Sequence, residues 1–98
     1  MNNYEIIEKS QSKPILLDFW ATWCAPCKSL GIILNNIVQT DNRFELIKVN
    51  VDEESDLTAQ YNITSVPTLK LIKYGNLVNE LIGLQSQKNL QNWLDKNL

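Results

Sequence analysis

The 98-residue chain has no histidine, two cysteines, three glycines and three prolines, and nine lysines and arginines against eleven acids leave a net charge of only -2. Each scarcity excludes something. A zinc site takes four protein ligands, or three and an open position, and with neither histidine nor a second cysteine pair the sequence cannot supply them. No metal is therefore expected. The cationic residues are scattered instead of striped, so there is no electrostatic footprint for nucleic acid or an anionic membrane surface. The longest apolar run, Pro14 to Leu17, stops at Asp18, far short of the roughly 20 residues of a bilayer span. The opening MNNYEIIEKSQSK mixes acids and amides with two lysines and lacks the basic start, apolar middle and small-residue cleavage site of a secretory signal. A cytoplasmic location is the expectation.

What is present suits one hydrophobic core. Hydrophobic residues make up 44% of the chain, and a chain of this size buries about 60 to 70% of the surface it exposes when unfolded. No repeat, low-complexity tract or Pro/Gly/Ser linker offers a cut, so residues 1–98 are expected to form a single domain. PILLDFWA (14–21) is almost continuously apolar and short, the mark of a central strand covered on both faces. From Pro26 to Gln39, Leu30, Ile33, Leu34, Ile37 and Val38 recur at helical spacing. FELIKVNVD (44–52) alternates as a second strand. ESDLTAQYN (54–62) reads as a short helix or turn with Ser55 as its N-cap. TLKLIKY (68–74) and LVNELIG (77–83) flank Gly75-Asn76, a hairpin signal because both residues tolerate positive φ. Ser86 then caps a helix reaching Asn97. The stretch around Tyr4, Ile6 and Ile7 fits either a short helix or an edge strand. This order predicts an α/β fold, a mixed sheet with helices on both faces, in which strands separated by helices pair in parallel and the closing hairpin adds antiparallel pairs.

The two cysteines stand at positions 24 and 27, in DFWATWCAPCKSL. A permanent staple is a poor reading, since a loop closed over three steps removes little chain entropy and cytosolic disulfides are rare. A redox pair fits better. At the start of a helix, residues i and i+3 share a face with Cα atoms about 5 to 6 Å apart, within bridging range. Cys24 would sit at the helix N-terminus, where unpaired N-H groups and the macrodipole favour a thiolate and can draw a thiol from about 8.5 toward 7. Pro26 suits the first helical turn because it has no N-H to donate, and Ala25 is a good helix former. Cys27, one turn in, is expected to be deeper and less acidic. That asymmetry makes Cys24 the attacking sulfur and Cys27 the one that releases the product.

DFWATWCAPCK, followed by SVPT at residues 65–68 and by Gly75 and Gly83, resembles the thioredoxin family over the stretch from Pro14 to the C-terminus. The resemblance implies a thioredoxin fold with a four- or five-stranded sheet and dithiol-disulfide exchange on protein substrates. It also implies re-reduction by a thioredoxin reductase drawing on NADPH, with no cofactor bound to the chain itself and a monomeric state. Matched by position, Cys24 and Cys27 are the redox pair and Asp18 the buried acid beneath it. Burial independently predicts that an acid in a two-sided apolar strand is desolvated, so its pKa rises and it can carry a proton for Cys27. Lys48 matches the family's partly buried lysine near that acid, although by itself it would be read as a surface residue. Pro67 matches the cis-proline facing the disulfide, leaving the backbone of Val66 free to pair with an extended substrate strand. Trp23, next to the nucleophile, would shield the sulfurs and meet partners together with Ala25, Pro26, Gly83 and Leu84, whereas Trp20 is expected to pack beneath the loop.

Three departures from the family pattern stand out. Ala25 replaces the usual glycine, which favours the helical loop by about 1 kcal/mol and would shift the redox potential by something near 20 to 30 mV. Ile32 stands where a proline usually kinks the helix, so the helix is expected to be straighter or to bend at Gly31. The short N-terminus would remove the first edge strand, leaving residues 44–52 at an exposed sheet edge. Two other readings stay open on the sequence. One is an oxidase or isomerase, against which Pro26 and the missing export signal argue. The other is a non-catalytic module that docks a partner on the rim around Trp23.

Overall fold

The computed structural model describes all 98 residues, ordered α1 (Asn3–Ser10), β1 (Ile15–Trp20), α2 (Ala25–Val38), β2 (Glu45–Asn50), α3 (Ser55–Gln60), β3 (Thr68–Lys73), β4 (Asn76–Ile82) and α4 (Gln87–Asn97). The N-terminal segment is a helix, capped where the Glu5 N-H donates to Asn2 Oδ1 at 2.9 Å. The sheet has four strands, in the order β2-β1-β3-β4, and β2 lies at an edge, as expected for residues 44–52. None of the helices is long and apolar enough to cross a membrane.

The alternation along β1 sorts its side chains onto two faces. Ile15, Leu17 and Phe19 pack with Ile6 of α1 and Leu57 of α3. Leu16 packs on the other face with Leu30, Leu34 and Ile37 of α2 and Leu90 and Leu94 of α4. Each of these fully buried aliphatic side chains contributes about 1.5 to 3 kcal/mol. Asp18 shares the parity of Leu16 and so lies on the α2 face. The helical stripe and the continuous apolar strand thus fix one another, and the end of β1 delivers the chain directly into the start of α2.

Several local expectations shift. The strand β3 runs antiparallel to its neighbour β1, although the intervening helix pointed to parallel pairing, and only β1 and β2 pair in parallel. Helix α3 has six residues, about 9 Å of rise, against about 20 Å for a six-residue strand. It cannot carry the chain back along the sheet, so β3 starts at the end where β2 stopped. The hairpin turn is Tyr74-Gly75, not Gly75-Asn76: φ is +50° at Tyr74 and +78° at Gly75, and Asn76 already pairs with Lys73. A distant residue sets this register, because buried Ser10 accepts from Tyr74 N-H through its carbonyl at 3.0 Å and from Gly75 N-H through its hydroxyl at 2.8 Å. Ser55 is not an N-cap. It is the first residue of α3, and Glu54 occupies the cap position with no side-chain bond. Ser86 does cap α4, accepting from Asn89 N-H at 3.1 Å.

Candidate active site

The loop from Ala21 to Cys24 turns tightly, Cys24 N-H donating to the Ala21 carbonyl at 3.2 Å. Cys24 is the N-cap of α2: its backbone is extended at φ -100° and its Sγ accepts from Cys27 N-H at 3.2 Å. A sulfur thus takes the role usually filled by a Ser or Asp oxygen. Ala25 and Pro26 occupy the exposed first turn. Cys24 and Cys27 are joined by a disulfide with Cα atoms 5.3 Å apart, as helical spacing predicts. The expected difference in depth is small, 5% against 3% exposed. Their surroundings differ more. Cys24 Sγ lies 3.8 Å from the Val66 carbonyl, on the outer side, while Cys27 lines an inner cavity that it shares with Asp18.

Asp18 is 1% exposed, and no group donates to its Oδ1. Burial pushes its carboxyl up to about 6, opposed by the attraction of Lys48. Lys48 is the register neighbour of Asp18 on β2 and lines the same cavity, but it is exposed instead of partly buried, and no ion pair joins it to Asp18 within 4 Å. Its strand is the sheet edge, so one side of the residue meets solvent. Helix α2 runs unbroken through Gly31 and Ile32.

The opposite rim comes from three loops. The Val66-Pro67 peptide is cis, Pro67 is buried, and Val66 is half-buried. Neither backbone group of Val66 takes a backbone hydrogen bond. The Gly83 N-H donates to the Pro67 carbonyl at 2.9 Å, and Gly83 adopts φ +90° with open space where a Cβ would stand, a conformation that favours glycine. Trp23 is 70% exposed and Leu84 50%, whereas Trp20 is half-buried against the cysteines. Two contributors had no sequence signal as site residues. Asp52, just past β2, accepts from the Trp23 indole at 3.0 Å, which only the juxtaposition of two loops reveals. Ile82, 57% exposed, adjoins Gly83 at the end of β4.

Residues 1–96 match the family model described as Thioredoxin. The chain belongs to the thioredoxin family. It is 40% identical over 91 residues to a thioredoxin of Staphylococcus epidermidis, covering 92% of this chain and 88% of that protein. Against Thioredoxin 1 of Synechococcus elongatus the identity is 39% over 95 residues, covering 96% and 87%. The X-ray structure of Fasciola hepatica thioredoxin shares the fold with a TM-score of 0.89 at 26% identity, covering 97% of this chain and 90% of that one. The thioredoxin fold expected from the sequence is the observed one. As a family member with its two cysteines at bridging distance, the chain is a disulfide oxidoreductase that reduces disulfides by dithiol-disulfide exchange.

Proposed function

We propose the following division of labour among the site residues. The Cys24 thiolate, favoured at the mouth of α2, attacks one sulfur of a protein disulfide. That S-S bond breaks as the mixed disulfide forms, and the departing sulfur takes a proton from solvent. Asp18 takes the proton of the Cys27 thiol, and the Cys27 thiolate displaces the remaining substrate sulfur from Cys24. Two electrons pass to the substrate and the Cys24–Cys27 disulfide is left behind. A thioredoxin reductase drawing on NADPH reduces it again, so the chain itself carries no bound cofactor. Lys48 holds its charge near the acid and favours the carboxylate that accepts the proton.

The substrate strand lies along Val66, pairing with its free backbone groups, over a rim made by Trp23, Ala25, Pro26, Pro67 and Gly83. The chain works in the cytoplasm, as a monomer and as one domain spanning residues 1–98. The observation that carries this reading is a sulfur capping α2 and bridged to Cys27, which lines one cavity with a buried, unpartnered acid. The test is reduction of insulin by dithiothreitol. The wild type should accelerate it and Cys24→Ser should not; full activity in that variant removes the assignment.

A further inference from the structure

Helix α2 buries Cys27 and Gly31, four residues apart, against the sheet, with Lys28, Ile32 and Asn35 alongside on its exposed flank. Gly31 has no side chain to fill the gap between α2 and the strands β1 and β2, and a cavity of about 320 Å³ lies there, lined by Asp18, Cys27, Lys28, Gly31, Ile32 and Lys48 among others. Water takes about 30 Å³ per molecule, so several fit. The inner end is Asp18 Oδ1, to which no group donates. The outer end is exposed Lys48 and Ile32, 65% exposed. The cavity thus joins a buried acid to solvent along the flank of the helix, away from the rim formed by Trp23, Val66 and Gly83.

The glycine has no local justification. Its φ is not positive, and a Cβ there would stand at an ordinary 3.5 Å from Lys48 Nζ. In a helix interior glycine is the poorest residue short of proline. What a longer side chain would do is fill the cavity and displace the Lys48 ammonium. We propose that Gly31 is a positioning residue for the proton step: its bare face keeps a side opening beneath α2, through which Asp18 gives its proton to water while a bound substrate covers the rim above.

This rests on the reading of Asp18 as the acceptor of the Cys27 proton. The opening answers a need that this reading creates. Once Cys24 is joined to a substrate protein, the upper face is covered, and Cys27, not Cys24, lines the cavity. The Cys27 S-H proton passes to the Asp18 carboxylate, and the resulting acid passes it to water and then to bulk buffer. No electrons move in this transfer. The charged or titratable groups lining the cavity with Asp18 are Lys48 from β2 and Cys27 and exposed Lys28 from α2, while its β3 neighbour is Leu69. The attraction of Lys48 favours departure of the proton.

The test is single-turnover release of product thiol from the fully reduced protein between pH 5 and 8. In Gly31→Leu the acid limb set by Asp18 should move up by about one pH unit, and release at pH 7 should slow about tenfold. The rate of Cys24 alkylation by iodoacetamide should stay within about twofold. Gly31→Ala, whose methyl makes only ordinary contact, should show a smaller shift. A folded Gly31→Leu with the wild-type pH profile and rate overturns the proposal. If that variant does not fold, Ile32→Trp, which lids the cavity from an exposed position, should give the same upward shift, and its absence is equally fatal. Asp18→Asn separates the two levels. If it slows release and Gly31→Leu does not, only the side opening fails; if it too leaves release unchanged, the role of Asp18 itself fails.

Discussion

Asp18 and Lys70 are both buried charged residues on adjacent central strands, one on each face of the sheet. Asp18 is 1% exposed and Lys70 7%. Lys70 shares its face with Leu17 and forms an ion pair with Glu80, its register partner on β4. Asp18 has no donor to Oδ1, and its nearest cation stays at the exposed sheet edge. Burying a charge costs several kcal/mol unless a partner offsets it. On one face of the sheet that cost is met with a partner and on the other it is left standing. The uncompensated site is the one that shares a cavity with a redox sulfur. An interior shaped for stability alone would pair both, and the proton-accepting role proposed for Asp18 accounts for the difference.

The largest expected effect tests the uncompensated side. The Asp18 carboxyl is pushed up from 3.8 to about 6. Between those values the folded chain keeps a proton that the unfolded chain has lost. Stability therefore falls as pH rises through that window, and above it Asp18 opposes folding by about 3 kcal/mol. Asp18→Asn should stabilise the protein by about that amount at pH 7 and flatten the slope between pH 4 and 6, while slowing release of product thiol by at least about a hundredfold. Urea unfolding at several pH values reads the first effect and single-turnover reduction the second. A variant that is no more stable at pH 7 would show that Asp18 is solvated after all.

Glu80→Ala breaks the compensated side. It leaves the Lys70 ammonium, on a side chain 9% exposed, without its partner, and should cost about 2 to 3 kcal/mol. Turnover should not change, because neither residue approaches the cysteines. Loss of activity at full stability would mean that the two faces of the sheet are coupled.

How much of this was legible in the sequence follows the range of the interactions involved. The continuous apolar run of β1, the stripe of α2 and the i, i+3 cysteines are local patterns, and each maps onto the structure within a residue or two. Asp18 declared itself because an acid inside a two-sided apolar strand has nowhere wet to go. The direction of β3 did not, since it depends on the length of α3 compared with that of a strand. The turn moved by one residue because Ser10, far away in the chain, receives its N-H groups. Lys48 turned out exposed because exposure at an edge depends on which strand is absent beside it. Lys70, in TLKLIK, looks like any outward position of an alternating strand until β4 and its Glu80 are placed. The Trp23–Asp52 bond joins two loops that no periodicity connects.

That last bond offers the smallest and sharpest test, since it sets an exposed hydrogen bond against the half-buried Lys70–Glu80 pair. The Trp23 ring is 70% exposed and is held by one bond from its indole N-H to Asp52, whose own N-H donates to Asn50 Oδ1 at 2.9 Å. Exposed groups lose little stability when a partner goes, so Asp52→Ala should shift unfolding by less than about 0.5 kcal/mol. Its effect should appear in substrate binding. A freed ring has to be ordered again on each encounter, at a cost of about 1 kcal/mol, which is about fivefold in KM for a protein disulfide with kcat unchanged. Asp52→Asn keeps an acceptor and should recover most of the loss. The anisotropy of Trp23 fluorescence, measured with Trp20 and Trp93 replaced by Phe, reports whether the ring is released. A freed ring with an unchanged KM would mean that the substrate does not rest on Trp23, and the rim would then have to be redrawn around Val66, Gly83 and Leu84.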